Sequence, residues 1–156
     1  MIGKLVDGAV LVAEMAAKNK DAALKELLGA AQASGSFLAK SSKGLAKRLV
    51  EREAIGSTGL GNGVAVPHVK SEDAKGVTLV LARSKPGIEW QAIDGRQVHI
   101  LFLLVSPAGE PEVHLRCLRW IATLARSADF RRFLLDSPSA EAMRELLREM
   151  APKDGS

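Results

Sequence analysis

The 156-residue chain has one cysteine, Cys117, and no tyrosine. A single thiol excludes an internal disulfide framework and makes a reducing cytoplasm the simplest home. Four phenylalanines and two tryptophans leave little for base stacking. No RNA- or DNA-binding motif accompanies the net charge of +4, so nucleic acid is not an expected partner. Much of that charge lies late, in Arg116, Arg119, Arg126, Arg131 and Arg132, and reads as a solvated basic helix face. No apolar run approaches the roughly 20 residues of a membrane span. Residues 1–15 include Asp7 and Glu14 and do not read as a signal peptide, so no membrane insertion is expected. The three histidines are dispersed without ligand spacing, so neither a metal nor a cofactor is expected.

What is present is an apolar share of 47%, enough for a core in one domain spanning 1–156, with 152–156 as a flexible tail. A chain of this length buries roughly 70% of its unfolded surface. Residues 9–13 suit a short strand. Asn19 suits the N-cap of a helix carrying Leu24, Leu27, Leu28 and Ala31, with Gly35 as its stop. Ser41 or Ser42 can cap a second helix over 45–52, in which Leu45, Leu49 and Arg52 fall within about 60° and face inward. Strands are expected at 77–83 and 98–105, the latter apolar on both faces and therefore central. Turns at Pro86-Gly87 and Asp94-Gly95 bound an edge strand or irregular segment at 88–93. Helices follow at 114–126, 128–135 behind Ser127, and 140–150 behind Ser139. The fold class is α/β, a mixed sheet of about five strands with helices packed on it.

The most informative stretch is Gly59-Leu60-Gly61-Asn62-Gly63-Val64-Ala65-Val66-Pro67-His68. Pro67 fixes its own φ and biases Val66 toward extended geometry, so the backbone entering His68 is stiff. Closely spaced glycines let main chain approach a ligand, and successive N–H groups can form an anion-holding concavity. A dinucleotide fingerprint would open a helix at its last glycine, whereas a strand-like run follows here; a Walker loop would need Gly-Lys-Ser/Thr. Glycine content alone leaves two readings open. One is a tight turn into a strand with His68 a bystander; the other is an imidazole held to carry an anionic group. Arg52 likewise suits either a helix C-terminal dipole partner or an anion-facing role.

A second histidine, His114, shares a helical face of about 60° with Leu118, Ile121 and Ala125, and Cys117 lies beside them. Arg116, Arg119, Thr123 and Arg126 take the opposite side. A buried ring without a partner costs about 1–3 kcal/mol, so His114 needs one. A backbone carbonyl is the simplest.

Arg52-Glu53, Ser57-Thr58-Gly59 and Gly63-Val64-Ala65-Val66-Pro67-His68 together resemble the active-site region of the enzyme IIA domains of the bacterial phosphoenolpyruvate-dependent phosphotransferase system. The fructose/mannitol branch is the match, and Ser-Thr-Gly-Leu-Gly-Asn-Gly is most similar to its nitrogen-regulatory members. The segment 87–95 resembles the family's middle hairpin, and His114-Leu115 opens a late helix as in the family. The resemblance implies a phosphohistidine carrier with Nε2 of His68 as acceptor, Arg52 offsetting negative charge and His114 hydrogen-bonding to His68 or its phosphoryl group. Thr58, Gly59, Gly61, Asn62 and Gly63 are the further candidates for phosphoryl contacts. It implies an HPr-type phosphocarrier as donor, and a IIB domain or regulated target proteins as acceptor or effector.

A histidine suits such a task because its ordinary pKa near 6.5 leaves much of it neutral, with a lone pair free to attack phosphorus. Three outputs fit the resemblance: a nitrogen-type regulator, a component feeding a fructose/mannitol-type permease, and a binding module that kept the fold but lost transfer. The last is suggested by Val69, where the family usually has a small residue, because a β-branched side chain there would narrow access to His68. Among the remaining residues, His99 is expected to be structural or exposed, Cys117 a core hydrophobe, and Trp90 and Trp120 packing anchors, with Trp90 also able to line a docking surface. Glu51 and Glu53 read as helix-end surface charges.

Overall fold

The computed structural model describes residues 1–153; of the tail expected at 152–156, residues 154–156 lie outside the described residues. Along the chain the elements are α1 (Ile2–Asp7), β1 (Val10–Val12), α2 (Lys20–Ala33), α3 (Ser42–Ile55), β2 (Gly59–Gly61), β3 (Val64–Ala65), β4 (His68–Ser71), β5 (Thr78–Ile88), β6 (Val98–Pro107), α4 (Pro111–Arg126), α5 (Ala128–Asp136) and α6 (Ala140–Met150). The sheet is mixed and has six strands in the described residues, ordered β1-β5-β6-β3-β2, with β4 also pairing β6. β6 is antiparallel to β5 and parallel to both β3 and β4.

Period-two alternation along β6 decides which helices cover which face. Ile100, Phe102 and Leu104 join one core with α1, α4, α5 and α6. Leu101, Leu103 and Val105 join a second core with α2 and α3. The result is a helix–sheet–helix sandwich, and the both-sides-apolar reading of 98–105 holds. β3 and β4 lie along one side of β6, joined across Val66 and Pro67. Pro67 has no N–H to donate, but its carbonyl accepts from the Leu104 N–H at 3.1 Å. The apolar run expected to stop at Pro67 therefore resumes beyond it, with His68 paired opposite Leu104.

Local capping signals held where a side chain does the capping. Asn19, Ser127 and Ser139 each accept from a backbone N–H of the following helix. Gly35, at φ 87°, follows the end of α2. Two expectations need correction. Helix α3 is longer than 45–52, and the Ser41 hydroxyl donates to Asp73 (2.6 Å) instead of capping it. Pro86-Gly87 is no turn: β5 runs through it with a register irregularity, Gly87 at φ 86° absorbing the bend. After Ile88 the segment 89–97 is irregular, the second of the two alternatives, and the expected turn at Asp94-Gly95 closes through Gly95 N–H to Ala92 O at 2.9 Å. Helix α1 was not foreseen: at six residues its pattern is short, and Ile2, Leu5 and Val6 form it by docking into the first core.

Candidate functional site

His68 opens β4 and, through its register with Leu104, points to the face covered by α4. Its Nδ1 lies 2.8 Å from the Val66 carbonyl oxygen. A carbonyl only accepts, so Nδ1 carries the proton and the lone pair is on Nε2. The half-buried ring faces His114 from the first turns of α4, with ring centroids 5.4 Å apart and planes inclined by 56°. His114 is buried, and its Nδ1 sits 2.7 Å from the Ser106 hydroxyl rather than at a backbone carbonyl. Burial, then the neighbouring charges of His68 and Lys70, push the His114 pKa down to about 4, so the ring is neutral at cellular pH.

A cleft of about 220 Å³ opens beside the His68 ring, lined by Arg52, Ser57, Thr58, Leu60, Val66, His68, Leu118 and Ala122. Arg52 reaches it from outside. The expectation that Arg52 faces inward is corrected: Arg52 is exposed and Glu53 is buried. Both lie near the Leu45–Leu49 stripe, and Glu53 takes the inward place because four donors meet its carboxylate. These are the Thr58 N–H (3.1 Å), the Thr58 hydroxyl, the Trp90 indole N–H (3.1 Å) and the Lys20 ammonium (2.8 Å). Glu53 is therefore no surface charge, and Trp90, fully buried under this cluster, lines no docking surface. One Arg52 N–H donates to Gly56 O at 2.7 Å, which folds the guanidinium back over the end of α3. Five donors make up a guanidinium, so this bond orients the group and leaves others for an anion.

The structure thus brings together His68, His114, Arg52 and Thr58, but not all the glycine-loop candidates. Thr58 lines the cleft, yet both its N–H and its hydroxyl proton are committed to Glu53. The Gly59 N–H is taken by the Ser57 hydroxyl at 3.0 Å. Gly61, Asn62 and Gly63 form the β2–β3 turn, all at positive φ, at the level of Ile100 rather than Leu104. Four residues of strand separate the two levels, roughly 13 Å. The Asn62 N–H donates to Asp94 (2.8 Å), holding that carboxyl below the usual carboxylate range. The glycines serve a tight hairpin and close packing, not an anion nest beside His68. Gly59 shows this most directly, since a Cβ there would lie 2.8 Å from Ala92 Cβ and 2.9 Å from Ala92 Cα. Gly59→Ala is expected to cost about 1–3 kcal/mol in unfolding free energy, read from the denaturation midpoint.

Val69 is buried in the second core and paired with Val105, on the sheet face opposite His68. It does not narrow access to the ring. His99 is structural as expected, its Nδ1 2.9 Å from Ser84 O, and buried Cys117 has its thiol pKa raised by burial. Sequence reasoning missed Ser106 and Lys70. Their signal was parity: Ser106 continues the Ile100, Phe102, Leu104 series, and Lys70 lies two residues beyond His68 and opposite Ser106. No group of histidine, cysteine and acidic residues suited to a metal occurs among the described residues, and no described helix is long and apolar enough to cross a membrane.

Residues 5–150 match the family described as phosphoenolpyruvate-dependent sugar phosphotransferase system, EIIA 2. A nitrogen regulatory protein of Bradyrhizobium diazoefficiens is 32% identical over 147 residues, 94% of each chain. One from Pseudomonas aeruginosa is 39% identical over 102 residues, 65% of this chain and 66% of that protein. The fructose-specific EIIABC component of Bacillus subtilis is 30% identical over 65% of this chain, which spans only 16% of that protein. The crystal structure of IIA-Ntr from Neisseria meningitidis superimposes with a TM-score of 0.79 at 29% identity, covering 94% of this chain and 98% of that one. With the fold, the paired histidines and this match over nearly its whole length, the chain belongs to the EIIA 2 family of the phosphoenolpyruvate-dependent sugar phosphotransferase system.

Proposed function

We propose that the chain is a phosphohistidine carrier of the nitrogen-regulatory type, taking a phosphoryl group from a phosphorylated HPr-type carrier onto Nε2 of His68. The observation that carries this reading is the hydrogen bond from His68 Nδ1–H to Val66 O, which puts the lone pair on Nε2 beside a cleft. In the transfer, that lone pair attacks phosphorus, a new P–N bond forms, and the donor's P–N bond breaks with its electron pair returning to the donor imidazole. His68 keeps its Nδ1 proton, so no base is needed to activate it. The work left to the protein is positioning and charge compensation on the phosphoryl oxygens. Arg52 supplies mobile positive charge at the cleft edge, and neutral His114 supplies a buried donor.

The regulatory output is supported by the full-length similarity to the Bradyrhizobium protein and by the IIA-Ntr superposition. In that role, target proteins read whether His68 is phosphorylated. A second reading, delivery to a IIB domain of a fructose/mannitol-type permease, is favoured by the fructose-specific relative. The third reading, a module that has lost transfer, loses its motive because Val69 lies away from the ring. A cytoplasmic setting suits all of these partners.

Incubation with the phosphorylated donor, followed by mapping of the acid-labile phosphate by mass spectrometry, is expected to place it on His68 and to leave His68→Ala unlabelled. Label on another residue, or none with a matched donor, ends the carrier reading. Sugar uptake in a deletion strain separates permease supply from regulation.

A further inference from the structure

The two active-site imidazoles are anchored through the same ring atom, Nδ1, but to groups of different capability. His68 faces a carbonyl, which can only accept. His114 faces the Ser106 hydroxyl, which can donate or accept. We propose that Ser106 is a positioning residue whose hydroxyl donates to His114 Nδ1, holding the proton of that ring on Nε2, where the N–H can donate a hydrogen bond to the phosphoryl group on His68. This rests on the carrier reading for its purpose, though not for its geometry.

The placement of Ser106 requires explanation in its own right. Its strand is apolar on both faces, and parity sends its side chain to the α4 side with Ile100, Phe102 and Leu104. Ser106 is 0% exposed, so its hydroxyl has no access to bulk water and must be satisfied by protein. His114 Nδ1 at 2.7 Å is the partner it has among the described residues.

Two proton arrangements fit that distance. If the ring donated from Nδ1, the hydroxyl proton would be left buried without an acceptor. If the hydroxyl donates, its proton is used, and what remains is an oxygen lone pair, the cheaper group to leave bare. The second arrangement is therefore the stable one. It needs a neutral ring, since an imidazolium carries protons on both nitrogens. Lys70 favours neutrality from close by: it is the Cα partner of Ser106 on the adjoining strand, two residues beyond His68 on the same face. Burial acts most strongly against a second proton on His114, and the Lys70 charge adds to it.

The consequence is a matched pair of tautomers set by the protein before any phosphoryl group arrives. His68 presents a lone pair at Nε2, and His114 presents an N–H at Nε2. Swapping either tautomer would put a proton on the nucleophile or a lone pair against the anionic oxygens. Pre-organised in this way, no proton need be rearranged during transfer.

The test uses the full chain labelled with ¹⁵N at histidine. Long-range ¹H–¹⁵N spectra at pH 7.5 are expected to show His114 as the Nε2–H tautomer in the wild type and as a mixture in Ser106→Ala. Phosphorylation of His68 by the phosphorylated donor is expected to fall about tenfold in Ser106→Ala, the worth of one hydrogen bond, and to recover in Ser106→Thr. In a His114→Ala background, Ser106→Ala should bring no further loss, because its effect passes through that ring. A wild-type His114 in the Nδ1–H form, or an equal rate loss with and without His114, overturns the proposal. If the wild type accepts no phosphoryl group at all, the carrier reading fails, and the tautomer spectra still decide the role of Ser106.

Discussion

Glu53→Ala is expected to lower the unfolding free energy by about 3–5 kcal/mol, the usual result of removing one partner from a buried ion pair. The cost is large because four donors lose one acceptor together: two on Thr58, the Trp90 indole and the Lys20 ammonium. Lys20 also donates to Trp90 O at 3.2 Å and sits 5.2 Å from the centroid of that ring. The cluster thus ties the start of α2, the end of α3 and the 89–92 segment into one unit. Glu53→Gln keeps the shape but discards the charge, and should cost less, about 1–3 kcal/mol. Urea denaturation reads both; a midpoint shift at constant slope is expected, and a Glu53→Ala protein as stable as the wild type would remove the cluster from the account of stability. Thr58 and Ser57 belong to the cleft as well, so the same variant should slow labelling of His68 even where it remains folded.

Acid should unfold the wild type earlier than a His114→Gln variant. The folded-state pKa of His114 is lowered from 6.5 to about 4, so the fold favours the neutral ring. Its contribution is complete above pH 6.5 and is lost as pH falls through the window toward 4. Integrated over that window the loss is about 3 kcal/mol. Carboxylates titrate in part of the same range, so the informative quantity is a difference: stability at pH 7.5 minus stability at pH 4.5, wild type against His114→Gln. The wild type should lose about 2.5 kcal/mol more than the variant, since pH 4.5 stops short of the full window. Equal losses would show that the buried ring does not govern the acid limb.

Much of this molecule was legible in its sequence because the deciding forces were local. Asn19, Ser127 and Ser139 announce their helices through their own side-chain bonds, and the doubly apolar run 98–105 announces a strand covered on both sides. The pairing of His68 with His114 was legible only through the family resemblance, since no spacing rule links residues 46 positions apart. The failures share a cause. Around α3, one arc of about 60° admits Arg52 and a slightly wider one admits Glu53, and the choice is made by donors from α2 and the 89–92 segment, distant in the chain. The glycine loop misled for a similar reason. Glycine records that backbone comes close to something, and at Gly59 that something is Ala92 rather than a ligand.

The margins of the sheet carry one more implication. The strands that pair on one side only, β1, β2 and β4, have three, three and four residues, so each offers only a few free amides and carbonyls to a visiting strand. Such blunt rims keep the sheet from growing, because encounters between copies of the chain find little template for cross-chain zippering and aggregation.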